Sequence, residues 1–254
     1  MLLNLSKILL LFFLLLSPSV YGQERDCKDT FTLGLGSVWP PYYYEEEGQI
    51  KGVDIKIIEN IFSQTDICLR FLKMPSSSRS LAELKKGAID FIYGASFTHD
   101  RAKYAIYSQP YRQETIRLFW KKEQLSEYVN ASLVELFTAK LRVATNRGSY
   151  IGGYGVALTK EENQPYISNV PTIERRMKML TFNRVDFTVE DEVAGRYYLK
   201  THPKSSIEMH PFVVYQNEVS LLFSKKTISI EQVEEINKII NRSKKRYQEI
   251  LMGY

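Results

Sequence analysis

Between Asp90 and Tyr111 the chain reads D-F-I-Y-G-A-S-F-T-H-D-R-A-K-Y-A-I-Y-S-Q-P-Y, a short apolar run that breaks at Gly94 and then exposes small polar groups. Ser96 and Thr98 stand where a chain leaves a strand and caps a helix, and Arg101 follows three residues past that cap. A guanidinium beside hydroxyls and a helix start can hold a carboxylate, because its planar fork matches two oxygens at once. A solvated arginine in a short surface helix would leave the same trace, so the neighbouring pattern decides between them. Other chemistry is thin. His99, His202 and His210 have no metal-ligating spacing, Cys27 and Cys68 form no zinc knuckle, and no G-x-S-x-G elbow, P-loop or dinucleotide fingerprint occurs. Neither a metal nor a cofactor is expected.

The elements that must position Arg101 alternate from Phe31 onward as strand, helix, strand, helix, strand, which predicts an α/β lobe with a largely parallel sheet. F-T-L-G-L-G is the first strand. Val53, Ile57, Ile58 and Ile61 have helical spacing, C-L-R-F-L-K-M is the second strand, S-L-A-E-L-K-K is a helix stopped by Gly87, and A-I-D-F-I-Y is the third strand. Trp39, Tyr42, Tyr43 and Tyr44 follow strand one, at the carboxyl end where open α/β sheets bind ligands, although some of them must simply pack the lobe surface.

Glu114 to Lys122 leads out as a strand into a second α/β unit. S-L-V-E-L-F reads as a helix, L-R-V-A-T as a strand, and N-R-G-S-Y-I-G-G-Y-G as a turn into a helix whose start, at Gly148 and Ser149, could face an anion. T-I-E-R-R-M-K-M-L-T-F-N-R is helical, V-D-F-T-V is a strand, and E-D-E-V-A-G-R-Y-Y-L follows. The chain returns through P-F-V-V-Y and Val219 to Lys226, and two amphipathic helices close it. The expected architecture is two α/β lobes joined by two crossover hinge segments, near Glu114 to Phe119 and Gln216 to Leu221. Lobe one comprises residues 23 to 113 with 218 to 254, and lobe two is the insert 114 to 217.

Residues 1 to 22 stand apart. Lys7 precedes the run Ile8 to Leu16, too short to span a bilayer but suited to a secretory signal, with Val20 and Gly22 as small residues at a cleavage site. Removing it takes away Lys7 alone and lowers the formal charge from +5 to +4. The remaining basic residues are interspersed with acids, and the one dense cluster, Arg242 to Arg246, reads as a solvated helix face, so no nucleic-acid partner is expected. A soluble periplasmic monomer without stable membrane insertion is expected. In that oxidising compartment Cys27 and Cys68 should form a disulfide, since one precedes strand one and the other opens the parallel strand two.

The run P-S-S-S-R-S-L-A-E-L-K-K-G-A-I-D (Pro75 to Asp90), then T-x-x-R at Thr98 to Arg101 and S-x-P-Y at Ser108 to Tyr111, resembles the bacterial extracellular solute-binding proteins of family 3, polar amino-acid binders of ABC importers. The strand with Asp186 that runs into D-E-x-A at Asp191 is similar to that family's second signature. The resemblance covers almost all of the mature chain and implies the type II periplasmic binding protein fold. It implies a small-molecule ligand, an amino acid or related carboxylate, closed upon by hinge bending and delivered to an ABC permease. Arg101 would hold the ligand's carboxylate, helped by Ser96, Thr98 and Ser149, Asp191 would take its ammonium, and Trp39 and then Tyr42 would flank its side chain. The chain departs from the pattern at Ser76, Gly94 and Tyr150, which bears on the ligand more than on the fold. Two other readings on this scaffold are an orphan periplasmic sensor and a dehydratase of the cyclohexadienyl type, which would need Glu190 or Glu192 as an acid.

Overall fold

The structure, a computed structural model, describes residues 26–146 and 150–252. The expected signal segment, Gly148 and Ser149 lie outside them. β1 (Asp29–Leu35) is buried from Phe31 onward, as a strand covered on both faces must be. β2 (Tyr44–Glu46) and β3 (Gln49–Lys51) form a hairpin that turns at Glu47 and Gly48, both at positive φ. α1 (Val53–Phe62) buries the predicted face of Val53, Ile57, Ile58 and Ile61. β4 (Ile67–Lys73) runs parallel to β1, and α2 (Ser77–Lys86) starts on the Ser76 hydroxyl, which accepts the Arg79 N–H, and ends on Gly87 in the left-handed conformation. β5 (Phe91–Ser96), α3 (His99–Ala102) and β6 (Ala105–Tyr107) complete the first half.

β7 (Arg112–Trp120) leads to α4 (Leu133–Thr138), which starts with a capping box between Ser132 and Glu135. Then come β8 (Val143–Thr145), α5 (Gly155–Thr159), β9 (Ile167–Asn169), α6 (Ile173–Thr181), β10 (Phe187–Asp191) and α7 (Glu192–Thr201). β11 (Glu208–Ser224) returns and α8 (Ile230–Met252) packs on α1. One sheet runs through both halves in the order β4-β1-β5-β11-β7-β10-β8-β9, with β6 also on β11.

β11 joins the halves. Its N-terminal stretch pairs antiparallel with β7 and mixes exposed and half-buried residues with the buried His210 and Val214; from Val219 to Ser224 it pairs with β5 and β6 and is buried throughout. Only one face is covered along the N-terminal stretch, whereas both faces are covered from Val219 onward, so the period of the sequence changes within a single strand. That change is why the sequence reads as two strands where the structure has one. β9 escapes the sequence reading because only three residues pair, in Q-P-Y-I-S-N. The two closing helices expected from the sequence are one: no glycine or proline lies between Ile230 and Met252, and Val233, Ile236, Ile240 and Tyr247 keep one buried face along it.

Cys27 and Cys68 are bonded, with their Cα atoms 5.6 Å apart, because Cys68 pairs with Thr30 on the adjacent parallel strand. No free cysteine is found among the described residues. Denatured, unreduced protein should therefore titrate no thiol, and Cys27→Ser with Cys68→Ser should cost about 3–4 kcal/mol, the chain-entropy value for a loop of this length. Two titratable thiols would contradict the pairing. Among the described residues no helix is long and apolar enough to cross a membrane, and no histidine, cysteine and carboxylate cluster could hold a metal.

Candidate functional site

The carboxyl ends of β1 and β5 face those of β8 and β10 across a cleft of about 1040 Å³, open mouth included, whose floor is β7. From one side come Trp39, Ser96 and Arg101, from the other Asn146, Arg176 and Asp191, and from the floor Glu114 and Ile116.

Arg101 is held by its own neighbourhood. The Thr98 hydroxyl accepts the Arg101 N–H at 3.2 Å as the cap of α3, and the Thr98 N–H donates to the Tyr107 hydroxyl at 3.0 Å. That hydroxyl donates to the Ser96 carbonyl at 3.1 Å, and Arg101 Nη1 donates to the same carbonyl at 2.9 Å. Two donors on one carbonyl fix the root of the guanidinium at the cleft edge. Thr98 itself caps and does not line the cleft, so its place is to position Arg101.

Asp191 ends β10 and caps α7. Its Oδ1 accepts the Ala194 N–H at 2.9 Å and the Tyr42 hydroxyl at 2.8 Å, while Oδ2 is buried with no hydrogen-bond partner among the described residues. Burial raises this carboxyl to about 6, against the opposing pull of Arg112, the Ala194 N–H and Tyr42. An oxygen in that state lowers its energy by meeting a donor.

Tyr42 differs from the sequence expectation. It is fully buried and does not line the cleft, and its hydroxyl reaches Asp191 from the other half of the molecule. Its ring lies 4.0 Å from the Arg112 guanidinium and 4.5 Å, centroid to centroid, from Trp39, which does line the cleft. Arg112 grips Asp54 through two bonds of 2.9 and 3.1 Å, and neither side chain is exposed. Burial works against the Arg112 charge, but Asp54 outweighs it and holds the guanidinium charged. Gly94, one of the departures from the family pattern, sits at φ 61°, and a Cβ there would lie 3.3 Å from Arg112 Nη2.

Glu190 and Glu192 are both engaged. Arg176 forks onto the two oxygens of Glu190, with both side chains buried, and also donates Nη1 to the Val170 carbonyl at 2.5 Å. Glu192 accepts from Arg117 at 2.6 Å and from Arg196 at 2.8 and 2.9 Å; burial opposes its charge, but the two arginines hold its carboxyl below the usual range.

Sequence reading missed Glu114. It sits on β7 between Arg112 and Ile116, on the same face by the two-residue period, and burial raises its carboxyl to about 8. The signal was present in R-Q-E-T-I, where an acid takes an inward position of an alternating strand. The charged and titratable groups around it are Arg112 on β7, Asp191 on β10, Asp54 on α1, Arg101 on α3 and Tyr215 on β11.

Glu114 and Asp191 both titrate higher in the folded than in the unfolded chain, so the folded state keeps protons that the unfolded state has released. Stability must then fall as pH rises towards about 6 for Asp191 and about 8 for Glu114. His210, lowered by burial, acts in the opposite sense only up to its ordinary value of 6.5. From pH 6.5 to 8 the ligand-free protein should therefore lose stability, with a limiting slope on the order of 1.4 kcal/mol per pH unit while Glu114 titrates. Glu114→Gln should flatten that slope. A wild-type Tm that stays level or rises over this interval would contradict the assignment.

A sequence model of the family described as bacterial extracellular solute-binding proteins, family 3, matches residues 31–254. No curated protein sequence matches the chain. Among solved structures, an ancestral arginine-binding protein bound to arginine superposes with a TM-score of 0.74 at 23% identity, covering 89% of this chain and 97% of that one. The arginine-, lysine-, histidine-binding protein ArtJ from Geobacillus stearothermophilus gives 0.74 at 17% identity, covering 87% and 93%. A histidine kinase sensor domain with similarity to periplasmic binding proteins gives 0.77 at 17% identity, covering 90% and 96%. At these identities the likeness is one of fold.

Proposed function

Because the chain belongs to the bacterial extracellular solute-binding proteins of family 3, we propose that it captures an amino acid in the cleft outside the cytoplasm and hands it to an ABC importer without turnover. The observation that carries this reading is Asp191 Oδ2, a buried carboxylate oxygen without a donor, on a cleft whose other wall presents Arg101. A carboxylate and a guanidinium on facing walls suit the two ends of one zwitterion. Arg101, helped by Ser96 and Ser149, receives the α-carboxylate; Asp191 receives the α-ammonium; Trp39 lies along the side chain.

The lobes are residues 23 to 113 with 218 to 254, and 114 to 217. The hinge is the antiparallel ladder in which Thr115 pairs with Gln216 and Glu114 with Asn217. Ligand gripped from both walls has its charges satisfied only when the cleft is shut, so differential affinity for the closed state drives closure. Tyr42 assists by crossing to Asp191 and orienting the carboxylate. Export by residues 1 to 22 places the protein in the periplasm as a monomer.

A thermal-shift screen of the mature protein against the amino acids and small carboxylates tests this reading. A ligand at 100 times its Kd should add about 2.7 kcal/mol of stability. No shift with any amino acid at millimolar concentration would overturn it.

A further inference from the structure

The charges of the cleft do not balance around a zwitterion. Arg176 is matched by Glu190 and Arg112 by Asp54, each through a two-bond fork. Glu114 and Asp191 have no ion-pair partner among the described residues; the cations acting on Glu114 are Arg112, already forked onto Asp54, and Arg101, the proposed carboxylate holder. Glu114 is 6% exposed and Asp191 2%, so each carboxylate is largely removed from water, and the pull of Arg112 does not offset that burial. An ionised carboxylate only accepts hydrogen bonds, and a cation placed beside Glu114 would favour that ionised form and supply the donors.

Their relative position follows from the strand register. Asp191 pairs with Ile116 across the β10–β7 ladder, and Glu114 is two residues along β7 on the same face. Diagonal neighbours of this kind lie about 7–8 Å apart. That separation suits the α-ammonium and the side-chain cation of one basic amino acid.

We propose that Glu114 is a ligand-binding residue that receives the side-chain ammonium or guanidinium, so that the cleft selects amino acids with a cationic side chain. The inference rests on the amino-acid reading above. It adds a residue on the hinge ladder to the residues of the two walls, and it makes the ligand's second charge contribute to shutting the cleft.

Titration calorimetry with two matched pairs tests it: L-arginine against L-citrulline, which replaces the guanidinium by a neutral urea, and L-lysine against L-norleucine. The wild-type protein should bind the cationic member of at least one pair about tenfold or more tightly than its neutral partner. In Glu114→Gln that preference should fall by about tenfold or more. Equal affinities in the wild-type protein, or a preference in the variant within threefold of the wild type, would overturn the assignment of Glu114. So would equal losses for both members, which would mean that Glu114 grips the α-ammonium. Binding of neutral amino acids alone would overturn this inference and leave the amino-acid reading standing. Failure of every amino acid to bind would overturn both.

Discussion

Replacing Arg112 by alanine should destabilise the protein by about 3–5 kcal/mol, measured by urea denaturation, because it strands the Asp54 carboxylate in a site with no exposed side-chain surface. The two bonds to Asp54 are the groups' main compensation for burial, and the residue that replaces Arg112 cannot supply them. Tyr42 would also lose the cation over its ring, and Asp191 the support of Tyr42. Exposed pairs such as Lys103 with Asp100 are a different case, in which solvent screening leaves little to lose. The double replacement Arg112→Met with Asp54→Leu should recover much of the loss, since an apolar pair of similar size removes the buried charge altogether. A loss below about 1 kcal/mol for Arg112→Ala, well short of the cost of an uncompensated buried charge, would mean that water reaches Asp54 and that the wall behind the cleft is not closed as described.

Arg101→Ala and Asp191→Asn should each weaken amino-acid binding by about 2–5 kcal/mol, or roughly 30-fold to several thousand-fold. Asparagine is the better probe at 191. It keeps an oxygen to cap α7 and accept from Tyr42, and removes only the charge that faces the cleft, whereas alanine would add about 0.5–2 kcal/mol of lost capping to the measurement. Arg101→Lys should lie between wild type and alanine, because the charge remains but the planar fork is lost. Affinities within threefold of wild type for either variant would contradict the pairing of Arg101 and Asp191 across the ligand. An effect confined to Arg101 would identify a carboxylate ligand without an α-amino group.

Arg101 and Asp191 could be picked out from the sequence because each depends on local chain: a threonine cap three residues before an arginine, and an aspartate where a strand passes into a helix. The same holds for α1, α2 and the parallel pairing of β1 with β4, where period, cap and stop residue agree. What surrounds these two cleft-lining residues was not legible. Tyr42 lies 149 residues from Asp191, and Arg112 lies 58 from Asp54; those contacts exist only once the two halves meet and the strand register is set. Tyr42 therefore looked like a ligand-flanking aromatic and is instead a buried donor behind the wall. Glu114 was visible as an inward acid on an alternating strand, but whether that face met solvent, core or cleft depended on the ladders with β10 and β11. The partners of Glu190 and Glu192 were hidden from the sequence for a similar reason, since the arginines that occupy them come from α6, β7 and α7.

The most direct measurement is calorimetry of the wild-type protein with three molecules: the amino acid that gives the largest thermal shift, its des-amino acid and its decarboxylated amine. Removing either end leaves one wall of the cleft with an unsatisfied charge, so each analogue should bind about 30-fold or more weakly than the intact zwitterion. A des-amino acid or an amine that binds within threefold of the amino acid would contradict capture of both ends by Arg101 and Asp191.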